Sequence, residues 1–295
     1  FQRQKNLEVF TRSAVLRALN VIPEDKLKLN STFPPQVTAF PCQYENISCT
    51  HSPLYLAGRY NKYSRELCQT PWLIEGEKKM ETSVQDLIVD VVNKFIVADK
   101  IVFSSSGRED VDVRMLGEGR PFVLELLNPR SRDVSQEFIN KIEETINEST
   151  NEIAVRDLQD VRKEDIHMLK EGEEEKRKMY SAVCIMNRPL TKDDIEQLTG
   201  LKNVKIQQKT PLRVLHRRPL AVRERVIYEM LAEKMDEHRF QLNLSTQAGT
   251  YVKEFVHGDF GRTVPHLGSI LGAETDIIEL DVQCIDLNWP PHKKI

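Results

Sequence analysis

The sequence predicts an α+β fold built on a central mixed, mainly antiparallel sheet flanked by helices. Three observations carry this. Apolar residues recur at helical spacing in two well-separated stretches, 84–96 and 135–149. Short β-branched runs lie close together in hairpin-like pairs, as at 223–235 and 240–244. The regular strand–helix–strand rhythm of a parallel sheet is missing.

In chain order, a first helix covers Leu7 to Leu19, with Leu7, Phe10, Ala14, Val15 and Ala18 on one face. Pro23 and then Pro34-Pro35 break it and lead into a β-like segment, Gln36 to Cys49. Gly58 to Trp72 mixes Gly, Pro and polar residues with aromatics and reads as irregular. A domain boundary is expected there, dividing residues 1–58 from 59–295. Ser83 caps a helix over Val84–Ile96, because its hydroxyl can accept from a first-turn amide. Ile101–Phe103, Val111–Leu116 and Pro121–Leu127 read as three strands, and Asn128-Pro129 ends the third.

Ser135–Ser149 is helical, and Ile153–Leu158 is a short strand. Arg162 to Lys178 is densely charged, with Glu173-Glu174-Glu175 before Lys176-Arg177-Lys178, the pattern of a solvated loop. Met179–Met186 is a strand. Thr191 caps a helix over Lys192–Leu198 that Gly200 closes. Arg223–Met235 and Phe240–Leu244 form an antiparallel ribbon turning at Asp236-Glu237-His238. Gly249–His257 begins a helix, His266–Leu271 is another, and Thr275–Leu287 returns as a strand.

A chain of 295 residues holds one large domain or two modest ones. It opens on Phe1 rather than Met, as a fragment would. The net charge of −3 excludes a surface coated in positive charge, so any nucleic-acid face must be local. The five cysteines are scattered without a CxxC pair, the usage of reduced thiols inside a cell. No membrane span or signal-peptide pattern is visible, and HExxH, Walker and complete dinucleotide-loop signatures are missing. Chemistry without metal or cofactor is the expectation.

The most informative stretch is Ser104-Ser105-Ser106-Gly107-Arg108-Glu109-Asp110-Val111-Asp112-Val113-Arg114-Met115-Leu116-Gly117. Small residues and a Gly-Arg pair between two strands can aim Asp110 out of a sheet into a cleft. Guanidinium groups at 108 and 114 would keep that carboxylate ionised and oriented. Such a carboxylate suits nucleophilic or general-base work, although aspartates at strand ends are also ordinary turn formers.

Two basic features stand beside it. Lys202 to Arg225 carries Lys202, Lys205, Lys209, Arg213, Arg217, Arg218, Arg223 and Arg225 against the single acid Glu224. That excess favours a polyanion, the competing reading being a solvated strand paired with the acidic loop. Arg59, Tyr60, Lys62, Tyr63 and Arg65 interleave cations with aromatics, which suits backbone contact with stacking on unpaired bases, or a set of core lids. Tyr180 on an apolar strand and Lys253 near a short helix start gain interest only from their company.

Together these segments resemble the catalytic part of the archaeal and eukaryotic tRNA pseudouridine synthases of family ten. The resemblance runs over Gly58–Trp72, Ser104–Pro129, the strand with Tyr180, Lys209–Arg225 and Gln247–Leu271. It implies a pseudouridine synthase fold and isomerisation of uridine in RNA, chiefly in the T-loop of tRNA. It implies Asp110 as the catalytic aspartate, Tyr180 as the ring stacked on the target base, and Lys253 as the cation paired with the aspartate. Val252 belongs to the same motif, Leu280 would be a further apolar wall, and Arg108 would exchange places with the extruded base. The aspartate would attack C1′ or remove the 2′ proton.

Family members also carry an amino-terminal accessory domain of THUMP type with a structural zinc. Residues 1–58 are similar to its tail, without its zinc-binding region, so Cys42 and Cys49 are not expected to be zinc ligands. The implied partners are tRNA and other structured RNAs, with no membrane and a monomeric protein. The implied compartment is intracellular: nucleus, cytoplasm or mitochondrion.

Two other classes compete. One is a structured-RNA-binding module without turnover. The other is a carboxylate glycosidase, which needs a second acid opposite Asp110. Glu109 and Asp112 are close in sequence for that duty.

Overall fold

The computed structural model describes residues 11–30, 32, 36–37, 40, 47–131, 134–169 and 176–293. The chain divides into two compact units, Phe1–Cys49 and Thr50–Ile295. In the first, helices run over Arg12–Val21 and Glu24–Asn30, the former capped by Thr11, whose Oγ1 accepts from Ala14 N–H. Most of the expected β-like segment 36–49, Cys42 included, lies outside the described residues, as does Glu173-Glu174-Glu175.

The second unit is built on one sheet. Its strands are β1 (Leu54–Lys62), β4 (Lys100–Ser105), β5 (Val113–Leu127), β6 (Ile153–Asp160), β7 (Lys178–Met186), β8 (Lys202–Lys209), β9 (Val222–Lys234), β10 (Arg239–Thr246), β11 (Thr263–Val264) and β12 (Thr275–Ile285). The short pair β2 (Leu73–Ile74) and β3 (Glu77–Lys78) forms a separate hairpin. The sheet order is β11-β8-β9-β10-β7-β12-β5-β1-β6, with β4 also on β5. Among the described strands only β12 and β5 run parallel, so the sheet is mixed and mainly antiparallel, as expected.

Helices cover this sheet through the stripes read from sequence. Val84–Phe95 starts at Ser83, whose Oγ accepts from Asp86 N–H, and packs against β4. Its Val84, Ile88, Val91 and Val92 are buried, each worth about 1.5–3 kcal/mol. Gln136–Ser149 buries Ile139, Ile142 and Ile146 against β6. Lys192–Gly200 has a reciprocal cap between Thr191 and Asp194 and lies on β9.

Three expectations are corrected. The segment from Gly58 is not irregular: β1 runs through it, buried along its whole length, so the boundary at 58/59 would cut a strand that pairs with β5 and β6. The compact unit begins at Thr50 instead. The strands 111–116 and 121–127 are one strand, β5, kinked at Gly117 and Gly119. Gly117 has φ +55°, and a Cβ there would meet Gln283 O at 2.0 Å. Gly200 ends its helix without a left-handed residue; Leu201 follows in extended conformation.

β5 also changes neighbour along its length. Val113–Met115 pair with β12, whereas Phe122–Leu127 pair with β4 on the same side. The loop 106–112 leaves β4 and enters β5 in the gap between them.

Candidate active site

Asp110 sits in that gap. It lines a cleft of about 380 Å³ together with Arg108, Tyr180, Arg213, Val252, Lys253 and Leu280. Residues from five separate stretches of sequence therefore meet at one place. Val252 and Leu280 are buried and form apolar wall. Tyr180, on β7, projects beside them; burial, offset only in part by Arg120, raises its pKa, so the ring stays a neutral phenol at ordinary pH.

The charge partner of Asp110 differs from expectation. Arg213 Nη1 donates to Asp110 Oδ2 at 2.7 Å, whereas Lys253 Nζ is 3.7 Å from the same oxygen. The lysine hydrogen-bonds Asp112 instead, at 2.7 Å to each carboxylate oxygen. Arg213 is itself held by Glu254, whose Oε1 accepts from Nε at 2.6 Å. Glu254 is 1% exposed, so this is a fixed post rather than a surface contact. Burial lowers the Arg213 pKa, but Glu254 and then Asp110 more than reverse this, and the guanidinium stays charged. Arg114, expected beside Asp110, forks onto Asp281 at 2.9 and 2.6 Å.

The loop carrying Asp110 is anchored from beneath. Glu109 points the opposite way from its neighbour, into the core. It accepts from Arg120 Nε at 2.7 Å and from the Tyr60 hydroxyl at 2.7 Å. Arg120 also donates to Ser106 O, and Gln69 bridges Tyr60, Ser105 and Gly107. Gly107 crosses this layer at φ +89°, where a Cβ would lie 3.0 Å from Arg120 Nη1 and 3.2 Å from Lys178 Nζ. Lys62 Nζ donates to three carbonyls, Leu67 O at 2.7 Å, Asp110 O at 3.1 Å and Val111 O at 2.6 Å. Burial lowers its pKa to about 8, against the pull of Glu109 and Asp112.

These contacts correct the reading of the 58–65 segment. Arg59 is 2% exposed and spends its guanidinium on Gly119 O and Leu287 O. Tyr60 and Lys62 are fully buried, so none of the three offers a group to RNA. Arg65 bonds Asp112 O, Leu280 O and the carboxylates of Glu279 and Asp281. Tyr63 is exposed. Three of the five form the scaffold of the Asp110 loop.

On the other side, Arg108, Arg217 and Arg218 line the cleft and are exposed. Among the described residues none of them has an ion-pair partner. The glycosidase reading loses its second acid, because Glu109 is buried in the anchor and Asp112 is bound by Lys253. Glu254 and Arg120 were missed from sequence, since nothing local marks a carboxylate whose partner lies 41 residues away. Among the described residues no group of three or more His, Cys, Asp or Glu is arranged to hold a metal ion.

Known proteins resemble this chain over most of its length. The chain is 54% identical over 292 residues to the tRNA pseudouridine synthase Pus10 of Mus musculus, covering 99% of this chain and 55% of that protein. It is 39% identical over 239 residues to the protein of that name from Pyrococcus furiosus, covering 81% of this chain and 58% of the relative. The chain thus spans little more than half the length of these relatives. A solved Cbf5-Nop10-Gar1 complex is similar at 15% identity and TM-score 0.40, covering 76% of this chain and 47% of that one. The family model described as Pus10, C-terminal, matches residues 55–286, which include every residue that lines the cleft, and the chain belongs to that family.

Proposed function

We propose that this chain carries the catalytic part of an isomerase that converts uridine to pseudouridine in RNA, with the T-loop of tRNA as its substrate. The observation that carries the reading is the ion-paired Asp110 in a cleft walled by Tyr180, Val252 and Leu280. A uridine inside folded RNA is out of reach of a carboxylate on a sheet, so the nucleotide must be extruded into the cleft. Asp110 then meets the ribose, with Arg213 at 2.7 Å and Lys253 at 3.7 Å from its carboxylate oxygen. Tyr180 offers a neutral face against which the uracil can turn once its C1′–N1 bond has broken; C5 then joins C1′ and loses its proton, while N1 gains one. Val252 and Leu280 keep water from the separated pieces. Every step uses side chains of the chain and no cofactor.

The exposed cations of 209–218 suit the phosphates of the same RNA. We infer that the segment before Thr50 belongs with the accessory portion of the longer relatives. We also infer that the unit acts as a monomer inside the cell. The test is Asp110→Asn, which keeps size and polarity. With unmodified tRNA transcript and site-specific pseudouridine mapping, the variant should bind RNA within about threefold of the parent and yield no product. Product at the parent's rate would remove Asp110 from the chemistry. Binding without product in the parent itself would leave an RNA-binding module.

A further inference from the structure

Phe260 is the anomaly of this unit. It is 95% exposed, a large aromatic ring with almost no protein contact. Its backbone is left-handed, with φ +54°, directly after Asp259 at φ +46°. Bulky residues rarely adopt that conformation, and a turn of this kind ordinarily takes glycine or asparagine. The chain therefore accepts two unfavourable features at one position. Strain of this sort is a pointer to function when the surroundings hold it in place.

The surroundings do hold it. Asp259 is buried, and its Oδ2 accepts from Leu212 N–H at 3.2 Å. Arg262 donates through Nε and Nη2 to Thr210 O at 3.1 and 2.7 Å, and its own carbonyl accepts from Lys209 N–H at 2.9 Å. The Phe260 turn is thus fastened to the root of the segment 209–218. That segment carries Arg213, which grips Asp110, and the exposed Lys209, Arg217 and Arg218. The turn also follows the helix Val252–His257, whose first residues wall the cleft. Through Asp259 the turn is also bonded to Leu212, the chain neighbour of Arg213 in the cleft lining.

We propose that Phe260 is a base-stacking residue for the RNA substrate, contacting an unpaired or terminally stacked nucleobase beside the extruded uridine. This rests on the reading of the cleft as an RNA site. An exposed ring on a turn bonded to the basic segment 209–218 suits a nucleic acid, since each base presents a π-face and each phosphate a charge.

The test uses the whole chain and unmodified tRNA transcript, with Phe260→Ala, →Leu, →Trp and →Gly. Stacking predicts that Ala, Leu and Gly each weaken binding tenfold or more, while Trp stays within about threefold. The slope of log affinity against log salt stays unchanged, because a neutral side chain releases no counterions. Indole fluorescence of the Trp variant is quenched by RNA. The Gly variant melts higher than the parent, so weakened binding there is not misfolding. Affinity unchanged in Ala, or Leu rescuing as well as Trp, overturns stacking and points to a protein contact. If the parent makes no pseudouridine in the transcript, the functional reading fails separately.

Discussion

Replacing Glu109 by Gln tests whether the buried anchor positions the neighbouring aspartate. The change keeps the shape and an acceptor for the Tyr60 hydroxyl, but leaves the Arg120 guanidinium without its counter-charge. Arg120 and Glu109 have side-chain exposures of 2% and 0%, so solvent cannot take the lost partner's place. Breaking one side of such a pair costs about 3–5 kcal/mol. For a unit of this size each kcal/mol lowers Tm by about 2–4 °C, so a fall of about 6–20 °C is expected by calorimetry. The double variant Glu109→Gln/Arg120→Met removes the stranded charge and should regain about 0.5–3 kcal/mol relative to additivity. Turnover should fall at least tenfold in the single variant, assayed below its melting range, with RNA affinity changed much less, because Asp110 is the next residue along a loosened loop. A single variant that melts within about 1 °C of the parent would falsify the claim that this ion pair anchors the loop.

Two further outcomes are expected. Lys62 titrates near 8 in the folded chain and at its ordinary, higher value when unfolded. Its burial penalty is therefore complete below pH 8 and relieved as pH rises toward the unfolded value. The unfolding free energy of the parent should thus rise relative to Lys62→Met across that alkaline window, followed by urea titration at successive pH values; a flat difference would mean that the ammonium is not desolvated. Reversing Arg217 and Arg218 to Glu should weaken RNA binding and lower the salt slope by about 1.5–2, if each contacts a phosphate. Unchanged affinity across salt would make this turn a solvated face.

The helices were legible because their burial is one-sided. Ser83 and Thr191 were found as caps for the same local reason: a hydroxyl and an amide three residues on need nothing from the rest of the fold. β1 was misread because its burial is two-sided. With both faces covered, Arg59, Asn61 and Lys62 alternate with nothing exposed, and the period-two signal vanishes. The apolar run Leu54–Ala57 just ahead of Gly58 was the available clue. At the site, Asp110 was legible from its loop chemistry. Its guanidinium partner was not, since Arg213 lies 103 residues away and is assigned to the site by tertiary structure alone. Arg213 was seen in sequence as one cation among eight.

The strand order has a consequence for how this unit comes into being. β1, β4, β5 and β6 come from residues 54–160, and β7 to β11 from residues 178–264, two contiguous blocks with no ladder joining them directly. β12 is the zip: Leu280 pairs with Ala182 in one block and with Val113 in the other. Asp110 belongs to the first block, while Tyr180, Arg213 and Lys253 belong to the second. During synthesis the ladders that join the two blocks can form only once residues 275–285 have emerged.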